Sequence, residues 1–392
     1  MAWWQGSEKL AQGQNRIIKK AILDVQHTPQ GATVWVQGCA GTGKTLVLAH
    51  IALELAAERE DRSIVFLTYT HALKEMINLT VTGGSVSVDV STYKAYLYQK
   101  QKKRYEIILI DEIQDISKDE IVQIKEFCTH LIIAGDCEQQ IYEQGSNESD
   151  IDQIANFDKY RLLELFRVTQ SVVDWAKRIL PSTRLVSGEV PRNQIDIDIA
   201  ARSFDSTQQE ARWVYDEAIA FARPEYPSAI LFPTHTEIYQ FCRLIALNLG
   251  ILSTGPKVDL IQTHSGHKIA DYNKLNAHFF HHNIFVEYLG NGIGELSQSE
   301  NRPFVYLMTY HSAKGLDFSS VFLPRLISDI KISANNGMER ALFFVAVTRA
   351  RERLVVTYTG NQPYPLVRLL PNFDNHVVHH NPDINDDDEG IF

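Results

Sequence analysis

Cysteine is scarce, long apolar runs are missing, and positive charge is in deficit. The four cysteines, Cys39, Cys128, Cys137 and Cys242, have neither paired nor zinc spacing. That argues against a disulfide framework and a cysteine-rich metal site, and it fits a reducing cytoplasm. No stretch of about 20 apolar residues occurs, so no membrane-spanning helix and no membrane partner are expected. The start, Met1-Ala2-Trp3-Trp4-Gln5-Gly6, lacks a basic region followed by an apolar run, so a secretory signal is not expected. Lys and Arg number 38 against 48 Asp and Glu, a formal net charge of −10. Such a chain does not grip nucleic acid through bulk charge, although a local basic groove stays open. The one dense basic cluster is Lys100, Lys102, Lys103 and Arg104.

At 392 residues, 44% hydrophobic and 22% charged, the chain has the composition of a globular protein too long for one ordinary core. Short apolar runs alternate with amphipathic stretches. They are Ile64–Leu67, Ile107–Ile110 and Leu131–Ala134 in the first half, and Ala229–Phe232, Val305–Met308, Val321–Leu323 and Leu354–Thr357 in the second. This alternation predicts an α/β fold with mostly parallel sheets, in two lobes joined near Asp158–Leu162. We expect one lobe over 1–160, a second over 161–365, and a flexible acidic tail over 366–392.

The most informative segment is Gly38-Cys39-Ala40-Gly41-Thr42-Gly43-Lys44-Thr45. It follows an apolar run, Ala32–Val36, and precedes a helical one, Leu46–Leu55. In that setting glycines let backbone N–H groups wrap a phosphate at a helix N-terminus. Lys44 then reaches the terminal phosphates, and the Thr45 hydroxyl is placed to ligate Mg²⁺. Downstream, the apolar run Ile107–Ile110 ends in Asp111-Glu112. Two carboxylates at the edge of a sheet beside a phosphate loop suit phosphoryl transfer, with Asp111 holding Mg²⁺ and Glu112 deprotonating water. A nucleoside triphosphate and Mg²⁺ are therefore the expected ligands.

With these segments in place the chain resembles the superfamily 1 helicases of the UvrD, Rep and PcrA group, over most of residues 8–360. Gln14 stands where that family reads adenine. Thr68-Tyr69-Thr70-His71-Ala72 and Ser91-Thr92-Tyr93-Lys94-Ala95 resemble single-strand-contacting segments, and Gly135 to Tyr142 resembles the segment whose glutamine, here Gln139, senses the terminal phosphate. Leu163-Glu164-Leu165-Phe166-Arg167 resembles the entry to the second lobe, and Met308 to Phe318 and Val345 to Ala350 resemble its two last motifs. The resemblance implies two RecA-like lobes with ATP in the cleft between them and an ATP-hydrolysing DNA helicase activity. By it, Lys44, Asp111, Glu112, Gln139, Arg167 and Arg349 are catalytic. Gln14, Gly41, Thr42, Gly43, Thr45, Phe166, Gly315 and Asp317 hold nucleotide, with Asp317 in place of the usual glutamate. Thr68, Tyr69, Thr92, Tyr93, Lys94, Tyr142, Thr309 and His311 face a single strand of DNA, with RNA an open alternative.

The chain also departs from the family. Little but the basic linker separates Ala95 from Ile107, and Asn291–Pro303 is a short surface loop, so neither large accessory insertion is present. After Tyr142 the family's arginine, tryptophan and arginine are replaced by Glu143, Gln144 and Gly145. Loss of a stacking platform weakens grip on bases, which leaves room for a partner-gated ATPase subunit of a larger assembly. The Trp3-Trp4 pair and the end Gly390-Ile391-Phe392 are the candidate partner contacts. Histidines 264, 267, 278, 281 and 282 have no cysteine or carboxylate pattern beside them and read as packed or solvated. Cys39 and Cys137 read as small packing residues rather than a redox pair.

Overall fold

The computed structural model describes residues 6–81, 87–166, 168–181, 190–191, 195–251, 259–262, 268–333, 338–371, 373 and 377–379. Two sheets dominate it, each made wholly of parallel pairs. The first has six strands: β1 (Thr33–Gly38), β2 (Ile64–Thr68), β3 (Asp89–Thr92), β4 (Tyr105–Ile110), β5 (Cys128–Gly135) and β6 (Asp158–Leu162), in the order β3-β2-β4-β5-β1-β6. The second lobe opens with β7 (Asp198–Phe204) and β8 (Ser228–Phe232). A separate antiparallel pair, β9 (Leu260–Gln262) and β10 (Lys268–Ala270), comes next. The chain then continues through β11 (Val286–Tyr288), β12 (Val305–Thr309), β13 (Phe318–Leu323), β14 (Ala350–Thr359) and β15 (Val377–His379). Seven of these form the second sheet, in the order β11-β12-β8-β13-β14-β7-β15.

The central strands are buried on both faces, which is why they read as unbroken apolar runs. Within β1 the period of two sends Val34 and Val36 into one core and Trp35 into the core on the opposite face. One of the cores is continuous between the lobes: Leu73 and Met76 of lobe one share it with Tyr310, Ala313 and Leu316 of lobe two. The lobes therefore meet through apolar packing, not only through polar groups.

Two expectations about boundaries need correction. Asp158–Leu162 is no linker but edge strand β6, paired along β1 from Val34↔Asp158 to Gly38↔Leu162. Nor does the second lobe stop at 365. Leu366, Val367 and Leu370 are buried, the Leu366 carbonyl accepts the Trp175 indole N–H at 3.1 Å, and β15 pairs with β7. Trp3, Trp4 and the acidic end from 380 onward lie outside the described residues.

Candidate functional site

Because every strand of the first sheet runs the same way, the carboxyl ends of β1, β4 and β5 share one edge, where α/β folds place ligands. The register Gln37↔Gly135 sets the loop after β1 beside the loop after β5. In the former, Gly41 and Gly43 take φ of +81° and +83°, the left-handed region that glycine adopts without strain. A Cβ on Gly43 would stand 2.5 Å from Gln14 Nε2. Gln14 is thus buttoned onto the loop: its amide donates to the Thr42 carbonyl at 3.1 Å and its Oε1 accepts Ala11 N–H at 3.1 Å. The Thr42 hydroxyl donates to the Cys39 carbonyl at 3.0 Å, and Lys44 Nζ donates to the Gly38 and Cys39 carbonyls at 2.8 and 3.1 Å. The Thr45 hydroxyl donates to Asp111 Oδ2 at 2.6 Å, so the two oxygen groups suited to a hard cation already touch. Burial pushes the Cys39 thiol up to about 11, so it is no reactive thiolate.

Glu112 follows β4 with φ +53°, a left-handed backbone at a non-glycine residue and the kind of local strain found at functional sites. Its Oε2 accepts Gln114 Nε2–H at 2.6 Å. Gln114 Oε1 accepts Asp136 N–H at 3.0 Å, and Asp136 Oδ2 accepts the Gln139 amide at 2.6 Å. A continuous relay therefore joins Glu112 to Gln139. Gly135 permits it, since a Cβ there would lie 2.3 Å from Gln114 Oε1. Burial and the neighbouring Glu112 charge push Asp111 upward. Burial works against ionised Glu112 too, but Lys314, Lys44, the Gln114 amide and Arg349 outweigh it and hold Glu112 below its ordinary range. Glu112 is thus an ionised carboxylate at neutral pH.

The second lobe meets this edge with the starts of β13 and β14. Phe318 pairs with Ala350, which brings Asp317 and Arg349 side by side. Arg349 is only 2% exposed, and backbone and hydroxyl acceptors cage its guanidinium: Val345 O at 2.9 Å, Leu316 O at 3.0 Å and Thr348 Oγ1 at 2.9 Å. Asp317 is ion-paired with Arg351. Between the lobes lies a cleft of about 350 Å³. Lobe one lines it with Gln14, Gly41, Gly43, Lys44, Thr45, Glu112 and Gln139. Phe166, Gly315, Asp317 and Arg349, also expected from sequence, line it too, whereas Thr42 and Asp111 are fully buried behind the lining. Arg167 lies outside the described residues. Met76, Ile195 and Arg351 also line the cleft and were not anticipated. Arginines and a lysine opposite a hydroxyl–carboxylate pair form a donor set that fits a triphosphate carrying a hard cation.

Comparison with known proteins agrees with this geometry. A family model described as the UvrD-like helicase C-terminal domain matches residues 260–361, and one described as an AAA domain matches 20–145. Together these matches support a UvrD/Rep/PcrA-type superfamily 1 helicase. The chain is 47% identical over 60 residues to the ATP-dependent DNA helicase Rep of Buchnera aphidicola subsp. Schizaphis graminum, which is 14% of this chain and 9% of Rep. It is 30% identical over 105 residues to the ATP-dependent DNA helicase PcrA of Staphylococcus aureus strain MRSA252, 21% of this chain and 14% of PcrA. The chain thus matches only a small part of either relative's length. Among solved structures, an arterivirus nonstructural protein 10 helicase in complex with DNA aligns with a TM-score of 0.44 at 15% identity, over 91% of this chain and 65% of that one.

The residues expected to face a strand divide into those buried and those near the surface. Thr68, Thr92 and Thr309 are buried, and their hydroxyls are used locally: Thr68 donates to Thr70 O, Thr92 caps the helix Tyr93–Leu97, and Thr309 braces Ser312. Tyr93 is buried as well. The aromatic rings stack on one another: Tyr69 on Tyr142 at 4.6 Å, Tyr69 by Tyr93 at 5.2 Å, and Tyr142 by His311 of lobe two at 5.6 Å. The reason is geometric. β2, β3 and β12 end at the seam, so their first loop residues pack across it. Lys94 is exposed and pairs with Glu120 at 2.6 Å. Gly145, where the family carries a large residue, passes so near Gln114 that a Cβ would sit 2.1 Å from its carbonyl.

Lys314, buried beside this stack, crosses the seam. Its ammonium donates to Asp115 Oδ2 and to the Gln139 carbonyl, the latter at 2.6 Å. Neither Lys314 nor Asp115 was anticipated. His278, His281 and His282 make edge-on ring contacts, whereas His264 and His267 lie outside the described residues. Among the described residues no cluster of three or more His, Cys, Asp or Glu could hold a metal, and no helix is long and apolar enough to cross a membrane.

Burial, with the positive charge of Lys314 beside it, pushes His311 down to about 4. The unfolded chain then binds a proton that the folded one refuses, so stability drains away as pH falls from about 6.5 toward 4. Urea titrations across that window should show wild type losing up to about 1.4 kcal/mol per pH unit relative to His311→Gln. A difference that stays constant with pH would remove His311 from this account.

Proposed function

We propose that this chain is an ATP-driven motor on single-stranded DNA, moving 3′ to 5′ and hydrolysing ATP with Mg²⁺ between its lobes in the cytoplasm. The observation that carries the reading is the convergence of ionised Glu112 from one lobe and caged Arg349 from the other on one cleft. Gly41, Gly43 and Lys44 grip the phosphates, Gln14 and Phe166 take the adenine, and Gly315 and Asp317 bound the ribose end. Thr45 and Asp111 hold Mg²⁺, which when bound stabilises charge on the phosphates. Glu112 accepts the proton of the attacking water. The relay through Gln114 and Asp136 keeps Gln139 in register with it. Arg349 neutralises developing charge only while the lobes are closed, and by resemblance Arg167 does the same. Each turnover then becomes a lobe movement.

A second reading, an ATPase switch subunit that waits for a protein partner in a larger assembly, is favoured by one observation. Tyr69, Tyr93 and Tyr142 are engaged with one another rather than presented to bases. Steady-state ATP hydrolysis with oligodeoxythymidylates of graded length separates the two readings. Stimulation that rises with length and saturates supports the motor. A rate indifferent to DNA supports the switch.

A further inference from the structure

The basic linker where the family's first insertion would stand is not a bare connection. It carries Tyr98, one of the most exposed large side chains of the described residues, with 77% of its surface open. No Asp or Glu occurs between Asp89 and Glu106, while Lys94, Lys100, Lys102, Lys103 and Arg104 do. This is a concentrated cationic patch on a chain of net charge −10. Some of the cations are partly committed: Lys94 to Glu120, Lys103 to Asp89, Lys102 over the Phe127 ring, and Arg104 to the Glu126 carbonyl. Lys100 is exposed.

The patch is also continuous with the seam. Lys94 Nζ lies 5.9 Å from the centroid of Tyr98 and 5.2 Å from that of Tyr93. Tyr93 leads by ring contacts through Tyr69 and Tyr142 to His311. The line runs from lobe two, over aromatics packed on one another, to one aromatic left open among cations.

We propose that Tyr98, with Lys94, Lys100 and Lys102 around it, is a binding site for single-stranded nucleic acid, with Tyr98 stacking on a base and the lysines meeting phosphates. An aromatic face accepts any base, and ammonium groups track the backbone between bases. The site supplies an open stacking surface that Tyr69, Tyr93 and Tyr142 do not present. This inference rests on the nucleic-acid reading above and assigns it a surface.

The test is fluorescence anisotropy of a labelled 20-mer oligodeoxythymidylate with the full chain, in a salt series, for wild type, Tyr98→Ala, Tyr98→Phe and Lys100→Gln/Lys102→Gln. Tyr98→Ala should weaken binding by about 5- to 100-fold and Tyr98→Phe by little. The double lysine variant should flatten the slope of log affinity on log salt by about 0.7 for each phosphate it no longer neutralises. DNA-free ATP turnover should be unchanged in all three, since none touches the cleft. Wild-type binding with an unaffected Tyr98→Ala would overturn the inference and leave the nucleic-acid reading standing. No wild-type binding would overturn both. An equal loss on a blunt duplex of the same length would also overturn it, because a base buried in a duplex cannot stack on Tyr98.

Discussion

Glu112→Gln should lower ATP turnover by about 10²- to 10⁴-fold, the range a positioned general base supplies, while nucleotide affinity stays within a few-fold of wild type. The two effects separate because the Glu112 carboxylate bonds Gln114 rather than any of the groups that would hold phosphates. Lys44 and the glycine loop come from β1, and Thr45 meets Asp111, whereas Glu112 is bonded to Gln114. Glutamine keeps the shape and can still engage the Gln114 side chain, so the fold is not at stake. What disappears is a carboxylate held ionised by Lys314, Lys44 and Arg349 against the cost of burial. Single-turnover hydrolysis alongside binding of a fluorescent ATP analogue measures both. If turnover persisted with affinity intact, another group would be the base. If affinity collapsed as well, Glu112 would belong to the binding set.

Much of the fold was legible because parallel, doubly buried strands write themselves as apolar runs. β2, β4, β5 and β8 stand within a residue or a few of where Ile64, Ile107, Leu131 and Ala229 placed them. The edge strands did not announce themselves. β6 reads Asp-Lys-Tyr-Arg-Leu, with only its last residue buried, and β15 sits beyond a stretch that looks like tail. Their place comes from pairing with β1 and β7, which no local pattern encodes. The cleft was legible for a related reason. Gly41, Gly43, Lys44 and Thr45 are contiguous, and the strand–turn–helix around them is local. The bonds that tie the site together are not. Gln114 looks like an ordinary polar residue after a carboxylate pair until Gly135, more than 20 residues on, leaves it room. The surface expected to meet a strand was least legible, because a tyrosine read from sequence does not say whether its ring meets solvent or another ring.

Lys314→Ala should be the most destabilising of the substitutions considered, at about 3–5 kcal/mol. Lys314 is 2% exposed and its partner Asp115 is fully buried, 199 residues away in sequence and on the other lobe. Asp115 shows how finely this is balanced. Burial pushes its carboxyl up to about 6 even with Lys314 beside it. Without the ammonium, the Gln139 carbonyl loses that donor and the buried Asp115 carboxylate is left with the Ile141 N–H at 3.3 Å, which costs far more than the pair contributes in net terms. Lys314→Ala with Asp115→Asn removes both charges and should recover much of the loss, so a double-mutant cycle in urea reads the coupling directly. The single variant should also respond to pH in a defined sense. A carboxyl whose folded pKa is raised above its unfolded one takes up a proton on folding, so stability increases as pH falls through that interval. Lys314→Ala should therefore regain stability relative to wild type on acidification below neutrality, and Lys314→Ala with Asp115→Asn should not. A single variant that loses no more than about 1 kcal/mol would mean that the apolar core shared by Leu73 and Leu316, not this bridge, holds the lobes at the seam. The bridge has a functional side as well. Gln139 is tied to Asp136 in its own lobe and to Lys314 in the other, so whatever shifts Gln139 during turnover pulls on the second lobe through one ammonium.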